Sequence, residues 1–298
     1  MQDTSQPAVP AAKDVRLQLN DGNSIPCIGY GTWDLKQTPE DVKVITEAVN
    51  TGYRLFDTAA FYKCESTVGA GLKASGIPRN ELFITSKVWH TELAPNKIRQ
   101  SLNCSLKELE TSYLDLLLIH WPRNPHDQNW KATLKEAWAT FEQLKKEGLV
   151  KSIGVSNFLP HHLTVLEGMT VPAVNQLEFH PGYIQRQAVE YCQRNHIMVQ
   201  AWSPLGQRRL RDNEFLKDLG KRYHRTPEQV CLRFAVQMGI IPIPKSADPW
   251  RMRQNIEVFD FDLDPSDIAA ICDMPVTAWS GEHPDSSAPD CGCTGVKN

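Results

Sequence analysis

The chain has no apolar run long enough to cross a bilayer, so no transmembrane helix is expected. It has no excess of one charge. Its 32 Lys and Arg against 35 Asp and Glu give a net charge of -3, which removes the footprint of a nucleic-acid binder and leaves room only for a local basic pocket. It has no cysteine framework. The eight cysteines are scattered, as free thiols in a reducing cytoplasm would be, and no second ligand pair of recognisable spacing joins Cys291, Cys293 and His283 in a metal site. It has no internal linker and no tandem repeat. Residues 1–14 contain neither an apolar h-region nor an Arg, so they read as a polar arm and not as a signal or transit peptide. The expectation is a cytoplasmic monomer whose partner is a small-molecule carbonyl substrate, with no nucleic acid, membrane or metal.

What is present is alternation. Residues 15–25 alternate apolar and polar side chains around Asn20-Asp21-Gly22, a hairpin signal. Eight short apolar runs follow, near residues 27–31, 53–57, 82–86, 113–120, 151–156, 173–177, 197–201 and 240–243. Helical patterns lie between them, among them 40–50, 95–109, 134–146, 185–195 and 227–237, with Pro95 and Pro227 at helix starts, where a missing N–H costs little. Strands that each lead into a helix must pair in parallel through crossovers. Eight such units predict an α/β fold, a (β/α)8 TIM barrel over residues 15–288, with the hairpin plugging its bottom. The arm over 1–14 and a tail over 289–298 are expected to be flexible.

In such a barrel, chemistry sits where strands end at the C-terminal face. The ends supply Thr32 and Trp33, Asp57, Lys87, His120, Ser156 and Asn157, Gln176, Ser203, and Lys245 with Ser246. Burying an Asp, a Lys and a His is costly unless they are paired or functional. Tyr62 lies five residues after Asp57 on the same loop. Carbonyl reduction needs a proton donor beside a hydride donor. A phenol is too weak an acid at neutral pH unless an ammonium favours its phenolate. Lys87 is the candidate ammonium, Asp57 would hold it, and His120 would hydrogen-bond the carbonyl oxygen. Each residue has a plainer reading taken singly: Tyr62 as amphipathic surface, Lys87–Asp57 as a structural ion pair, His120 as a half-core histidine. Their joint position at strand ends favours the reaction.

Several blocks then come together: Gly52-Tyr53-Arg54-Leu55-Phe56-Asp57-Thr58-Ala59 running on to Tyr62, Leu114-Asp115-Leu116-Leu117-Leu118-Ile119-His120-Trp121-Pro122, Gly154-Val155-Ser156-Asn157-Phe158, Asn175-Gln176, and Ile243-Pro244-Lys245-Ser246. Over about residues 15–274 the chain resembles the aldo-keto reductase superfamily. Its end, Trp279-Ser280-Gly281-Glu282-His283-Pro284-Asp285, is similar to the short tail of the diketogluconate reductase and prostaglandin F synthase branch. The resemblance implies a catalytic tetrad of Asp57, Tyr62, Lys87 and His120. It implies that Ser156, Asn157 and Gln176 hold a nicotinamide carboxamide, that Trp202 stacks on its ring, and that Ser203 and Leu205 pass over the pyrophosphate. Thr32 and Trp33 join these cofactor contacts, and residues 278–287 are the loop that closes the pocket.

NADPH is the expected cofactor. Lys245, Ser246 and Arg251 form a basic cluster in a loop, with Gln254 and Asn255 after it, and a ribose 2′-phosphate wants a cationic clamp with hydroxyl donors. Trp33, Trp89, Trp121 and Phe158 are expected to wall the substrate pocket. Gly69-Ala70-Gly71-Leu72-Lys73-Ala74 imitates a dinucleotide fingerprint, but no strand precedes it, so helix packing is expected there. Cys64 follows Tyr62 by two and would be oxidisable if exposed. Two other functions compete: a catalytically silent barrel serving as an NADPH-binding accessory or structural protein, and a metal-dependent hydrolase. The latter would need a His-x-His pair at an early strand end, where Thr32 and Trp33 stand, and His161-His162 would diverge on a helix.

Overall fold

The structure is a computed structural model that describes residues 14–286. The arm and tail expectations therefore lie, Asp14 aside, outside the described residues, as do Cys291 and Cys293. A hairpin of β1 (Arg16–Gln18) and β2 (Ser24–Pro26) opens the fold, with Leu17 opposite Ile25. Eight strands follow: β3 (Gly29–Gly31), β4 (Leu55–Asp57), β5 (Phe83–Val88), β6 (Leu114–Ile119), β7 (Val150–Ser156), β8 (Val174–Glu178), β9 (Met198–Trp202) and β10 (Ile241–Pro242). Each pairs with its successor in parallel, so the sheet runs in sequence order from β3 to β10. At the seam between first and last strand, Gly31 N–H donates to Pro244 O at 2.9 Å.

The helices α1 (Pro39–Thr51), α2 (Glu65–Ala74), α3 (Pro95–Glu108), α4 (Trp130–Lys146), α5 (Pro160–Leu163), α6 (Arg186–Arg194), α7 (Glu214–Tyr223), α8 (Pro227–Gln237), α9 (Pro249–Ile256) and α10 (Pro265–Cys272) account for the crossovers and the closing turns. Proline opens α1, α3, α5, α8, α9 and α10 at the first turn. Most expected boundaries move by a residue or two; two expectations change further. α4 starts at Trp130 and not at 134, because only its later turns carry the buried stripe of Leu134, Ala137, Trp138, Phe141 and Leu144 that made it legible. Arg251, expected in a loop, sits in α9, whose start is capped by Asp248 accepting from Trp250 N and Arg251 N.

Two apolar clusters divide the interior. The larger lies between strands and helices, around residues such as Phe56, Ile84, Leu117, Trp138 and Phe234. The smaller fills the barrel: Leu55, Phe83, Leu116, Leu118, Val174 and Ile241, joined by Leu19 and Ile25 of the hairpin region. The hairpin thus closes the bottom, pinned by Asn20 to Pro172 O at 2.9 Å and by Lys145 to Asp21 at 2.6 Å. The fingerprint-like glycines lie inside α2. A Cβ on Gly71 would stand 2.5 Å from Ile45 Cβ and one on Gly69 2.7 Å from Glu108 O, so they serve close helix packing as expected. Among the described residues no helix is long and apolar enough to cross a membrane.

Candidate active site

Strand parity builds the site. Side chains two residues apart share a face. The alternation that turns Leu55, Phe83, Leu116 and Val174 into the barrel therefore turns Asp57, Lys87, His120 and Gln176 the same way, nearer the strand ends. Tyr62 comes from a single 3-10 turn, Ala60–Tyr62, closed by Lys63 in the left-handed region at φ +56. That turn brings the phenol back over the strand ends.

Lys87 is at the centre and only 1% exposed. Its Nζ donates to Asp57 Oδ1 at 2.5 Å and to Thr58 O at 2.9 Å, and lies 3.3 Å from Tyr62 Oη. Gln176 Nε2 donates to the other oxygen, Asp57 Oδ2, at 2.7 Å, and is 3.2 Å from Gln200 Oε1. The His120 ring stands edge-on to Tyr62, with centroids 5.6 Å apart. The structure thus brings the four expected residues together.

The electrostatics correct one expectation. Burial, the largest influence, raises the Tyr62 phenol above its ordinary range. Lys87 pulls it back without reversing the rise, and Asp57 adds to it. The phenol is therefore protonated at neutral pH, with the Lys87 ammonium beside it. For Lys87 burial disfavours the ammonium, but the attraction of Asp57 and Tyr62 together outweighs it and raises the value. Burial, then Lys87 and His90, push His120 well below the usual imidazole range. It stays neutral and can offer an N–H. His120 Nδ1 and Trp89 Nε1 are both buried without a hydrogen-bond partner, on rings 5.0 Å apart at 87°.

The walls differ from expectation. Phe61, not singled out in the sequence, stacks on Trp89 at 3.8 Å and faces Trp33 at 6.1 Å; it adjoins Tyr62, and this was the available signal. Trp121 packs with Trp89 and Phe61. Phe158, expected on the wall, is fully buried and packs against His162. Asn157, just before it, is in the left-handed region at φ +63.

The expected cofactor contacts fall into two sets. At the ends of β7 to β9 most polar atoms already have partners. Ser156 Oγ donates to Gln176 O at 3.0 Å. Asn157 Nδ2 donates to His120 O at 3.0 Å and its Oδ1 accepts from Trp202 Nε1 at 2.8 Å, which ties Trp202 to the tetrad strand β6. Thr32 is buried and its hydroxyl donates to Asp57 O at 2.9 Å, so it shapes the floor and presents no hydroxyl to a ligand. Beyond β10 the set is open. Lys245 and Arg251 are exposed, Ser246 and Gln254 half-buried, and Asn255 buried. Ser203 and Leu205 are half-buried, Ser203 at φ +49. Cys64 is fully buried and burial raises its thiol, which removes the exposure that oxidation needs.

The loop after α10 reaches back over these ends. Glu178, 2% exposed, accepts from Ser280 N at 2.9 Å and from Ser280 Oγ at 2.6 Å. Trp279 stacks on Tyr183 and its carbonyl accepts from Arg209. Asp285 is held by Arg123 at its carbonyl and by His161 Nε2 at 2.9 Å, and His162 Nε2 lies 3.0 Å from the same carboxylate oxygen. The two histidines converge here instead of diverging, because α5 is a single turn and its rings tilt together at 4.0 Å. They make a clamp, not a ligand pair: His162 Nδ1 accepts from Leu159 N at 3.1 Å, so its proton sits on Nε2, where a metal would need a lone pair.

The model of the Aldo/keto reductase family matches residues 27–274. Glyoxal reductase of Bacillus subtilis (strain 168) is 38% identical over 279 residues, covering 93% of this chain and 99% of that protein. Methylglyoxal reductase of Escherichia coli (strain K12) is 39% identical over 273 residues, covering 90% and 96%. A Bombyx mori aldo-keto reductase solved in complex with NADP superposes with a TM-score of 0.79 at 35% identity, covering 86% of this chain and 91% of that one.

Proposed function

The chain belongs to the aldo/keto reductase family, and from that premise we propose that it reduces aldehydes and ketones to alcohols with NADPH, using Tyr62 as the proton donor. The observation that carries the reading is the buried Lys87, held by Asp57 at 2.5 Å while reaching Tyr62 Oη at 3.3 Å. An ammonium so enclosed exerts a far stronger pull on a neighbouring phenolate than it would in water.

The residues fit a nicotinamide dinucleotide. Gln176 commits its amide nitrogen to Asp57 and Gln200, which leaves Oε1 as its remaining polar atom for a carboxamide N–H. Half-buried Trp202 offers a ring for stacking, and Lys245, Ser246 and Arg251 offer charge and a hydroxyl to a 2′-phosphate. The bound cofactor supplies the hydride. Tyr62 gives its proton to the carbonyl oxygen, and Lys87 stabilises the phenolate this leaves. Neutral His120 donates a hydrogen bond to the same oxygen and orients it. The aromatic walls Trp33, Phe61, Trp89 and Trp121 exclude water and select small apolar or planar carbonyl compounds, including 1,2-dicarbonyls of the kind in the relatives' names.

The test is NADPH oxidation followed by absorbance over a panel of aldehydes and ketones. Small dicarbonyls and aromatic aldehydes should turn over, and Tyr62→Phe should lose roughly 10²–10⁴ in kcat while binding NADPH normally. Wild-type turnover in Tyr62→Phe removes the assignment of the acid. No turnover of any compound by the wild type leaves the silent barrel.

A further inference from the structure

Gln200 lies inside the barrel, fully buried, directly across from Gln176 in the β8–β9 register. A glutamine among apolar strand residues calls for a reason, because its amide needs up to four hydrogen bonds. It has one: Oε1 accepts from Gln176 Nε2 at 3.2 Å. Its own Nε2 is buried without a partner. A side chain that leaves a donor bare in the interior is destabilising compared with an apolar one of the same shape.

The orientation of both amides follows from charge. Asp57 Oδ2 is a carboxylate oxygen 2.7 Å from Gln176, so Gln176 must present its NH2 there. The second hydrogen of that NH2 then faces Gln200, which must present its oxygen. Turning Gln200 over would set two donors against each other. Each link of the chain Gln200, Gln176, Asp57, Lys87, Tyr62 is therefore fixed in donor and acceptor, with Gln176 donating to both its neighbours, and the buried bare donor, Gln200 Nε2, lies at the end far from Tyr62.

We infer that Gln200 is a positioning residue for the reduction: its Oε1 locks the Gln176 carboxamide so that the amide holds Asp57 on one side and keeps its oxygen turned to the cofactor on the other. The inference rests on the Tyr62 relay proposed above. It gives the bare donor a reason, since an amide of this length supplies the acceptor without a second buried negative charge near Asp57. Without it Gln176 can swing, and cofactor contact and carboxylate support loosen together.

Gln200→Met removes the acceptor and the bare donor while keeping the volume. The melting temperature should stay level or rise. By analogy with supporting hydrogen bonds in other preorganised sites, kcat should fall roughly tenfold. NADPH affinity, read by quenching of tryptophan fluorescence, should weaken severalfold, and the alkaline limb of the kcat–pH profile should move. A well-folded Gln200→Met with wild-type NADPH affinity and pH profile overturns the inference. So does a marked drop in melting temperature that accompanies the lost turnover, which is what a packing role predicts. Tyr62→Phe run in parallel separates the two readings. If it keeps turnover, the relay has failed; if it is dead while Gln200→Met matches the wild type, only the role of Gln200 has failed.

Discussion

The two halves of the barrel mouth are built on opposite plans. On the β4–β6 side, Asp57 is 4% exposed, Lys87 1% and His120 7%, and Asp57 and Lys87 are bound to protein groups on every side that the relay uses. On the β10 side, Lys245 and Arg251 stand in solvent, and the near contact of Arg251 with Asp248 is 4.0 Å long. The first half is complete before any ligand arrives. The second holds charge in reserve and is finished by what binds. A buried ion pair is expensive and must be preorganised to be worth keeping, whereas exposed cations cost little to display. The proposed function assigns chemistry to the buried half and anion capture to the open one.

Breaking the rigid half should have the largest effect. Lys87→Met should lower kcat at neutral pH by roughly 10²–10⁴ and, by stranding the buried Asp57 carboxylate, destabilise the fold by about 3–5 kcal/mol. Full activity at neutral pH would make the ion pair structural. The open half should fail differently. Lys245→Ala with Arg251→Ala should weaken NADPH by about 10–100-fold, near 1.5–3 kcal/mol, leave NADH almost unchanged and leave the melting temperature alone. Equal loss for both cofactors would deny the cluster its phosphate.

The rim joining the halves gives the smaller effects. Burial, then His161, push His162 down to about 4 from 6.5, so the unfolded chain binds more protons between those values. Stability should be full above pH 6.5 and be lost as pH falls toward 4, by about 3 kcal/mol, and His162→Gln should flatten that part of a pH–melting curve. An unchanged curve in the variant would remove His162 as the acid-sensitive group. Smallest is Glu178→Gln, which weakens the hold on Ser280. It should raise KM for the carbonyl substrate a few-fold, about 0.5–1 kcal/mol, with kcat kept. An effect on kcat as large as that of Lys87→Met would make the rim part of the rigid half.

The rigid half was also the more legible. Asp57, Lys87 and His120 could be placed because each sits an even number of residues beyond an inward apolar side chain, and parity survives whatever the barrel does around it. The open half, the walls and the rim were less so. Phe158 was taken for a wall residue and is core, Arg251 for a loop residue and is helical, and His161 and His162 were taken to diverge and instead clamp Asp285. Each depends on how a short turn leaves a strand end or on which distant segment returns to cover it. Gln200 offered a signal, a lone amide in an apolar run, but its partner is another strand's side chain.

The order of elements, the hairpin and the parallel sheet were determined by the sequence itself, through local periodicity, and with them the presence of Asp57, Lys87 and His120 at the strand ends. The tertiary structure decided how those groups behave. The Tyr62 phenol is raised and not lowered, because burial outweighs its neighbouring ammonium. Gln176 is bound to Asp57, and the last loop is fastened by Glu178 and Asp285. Solvent exclusion and contacts between residues over a hundred positions apart exist only once the barrel has closed, and no local pattern encodes them.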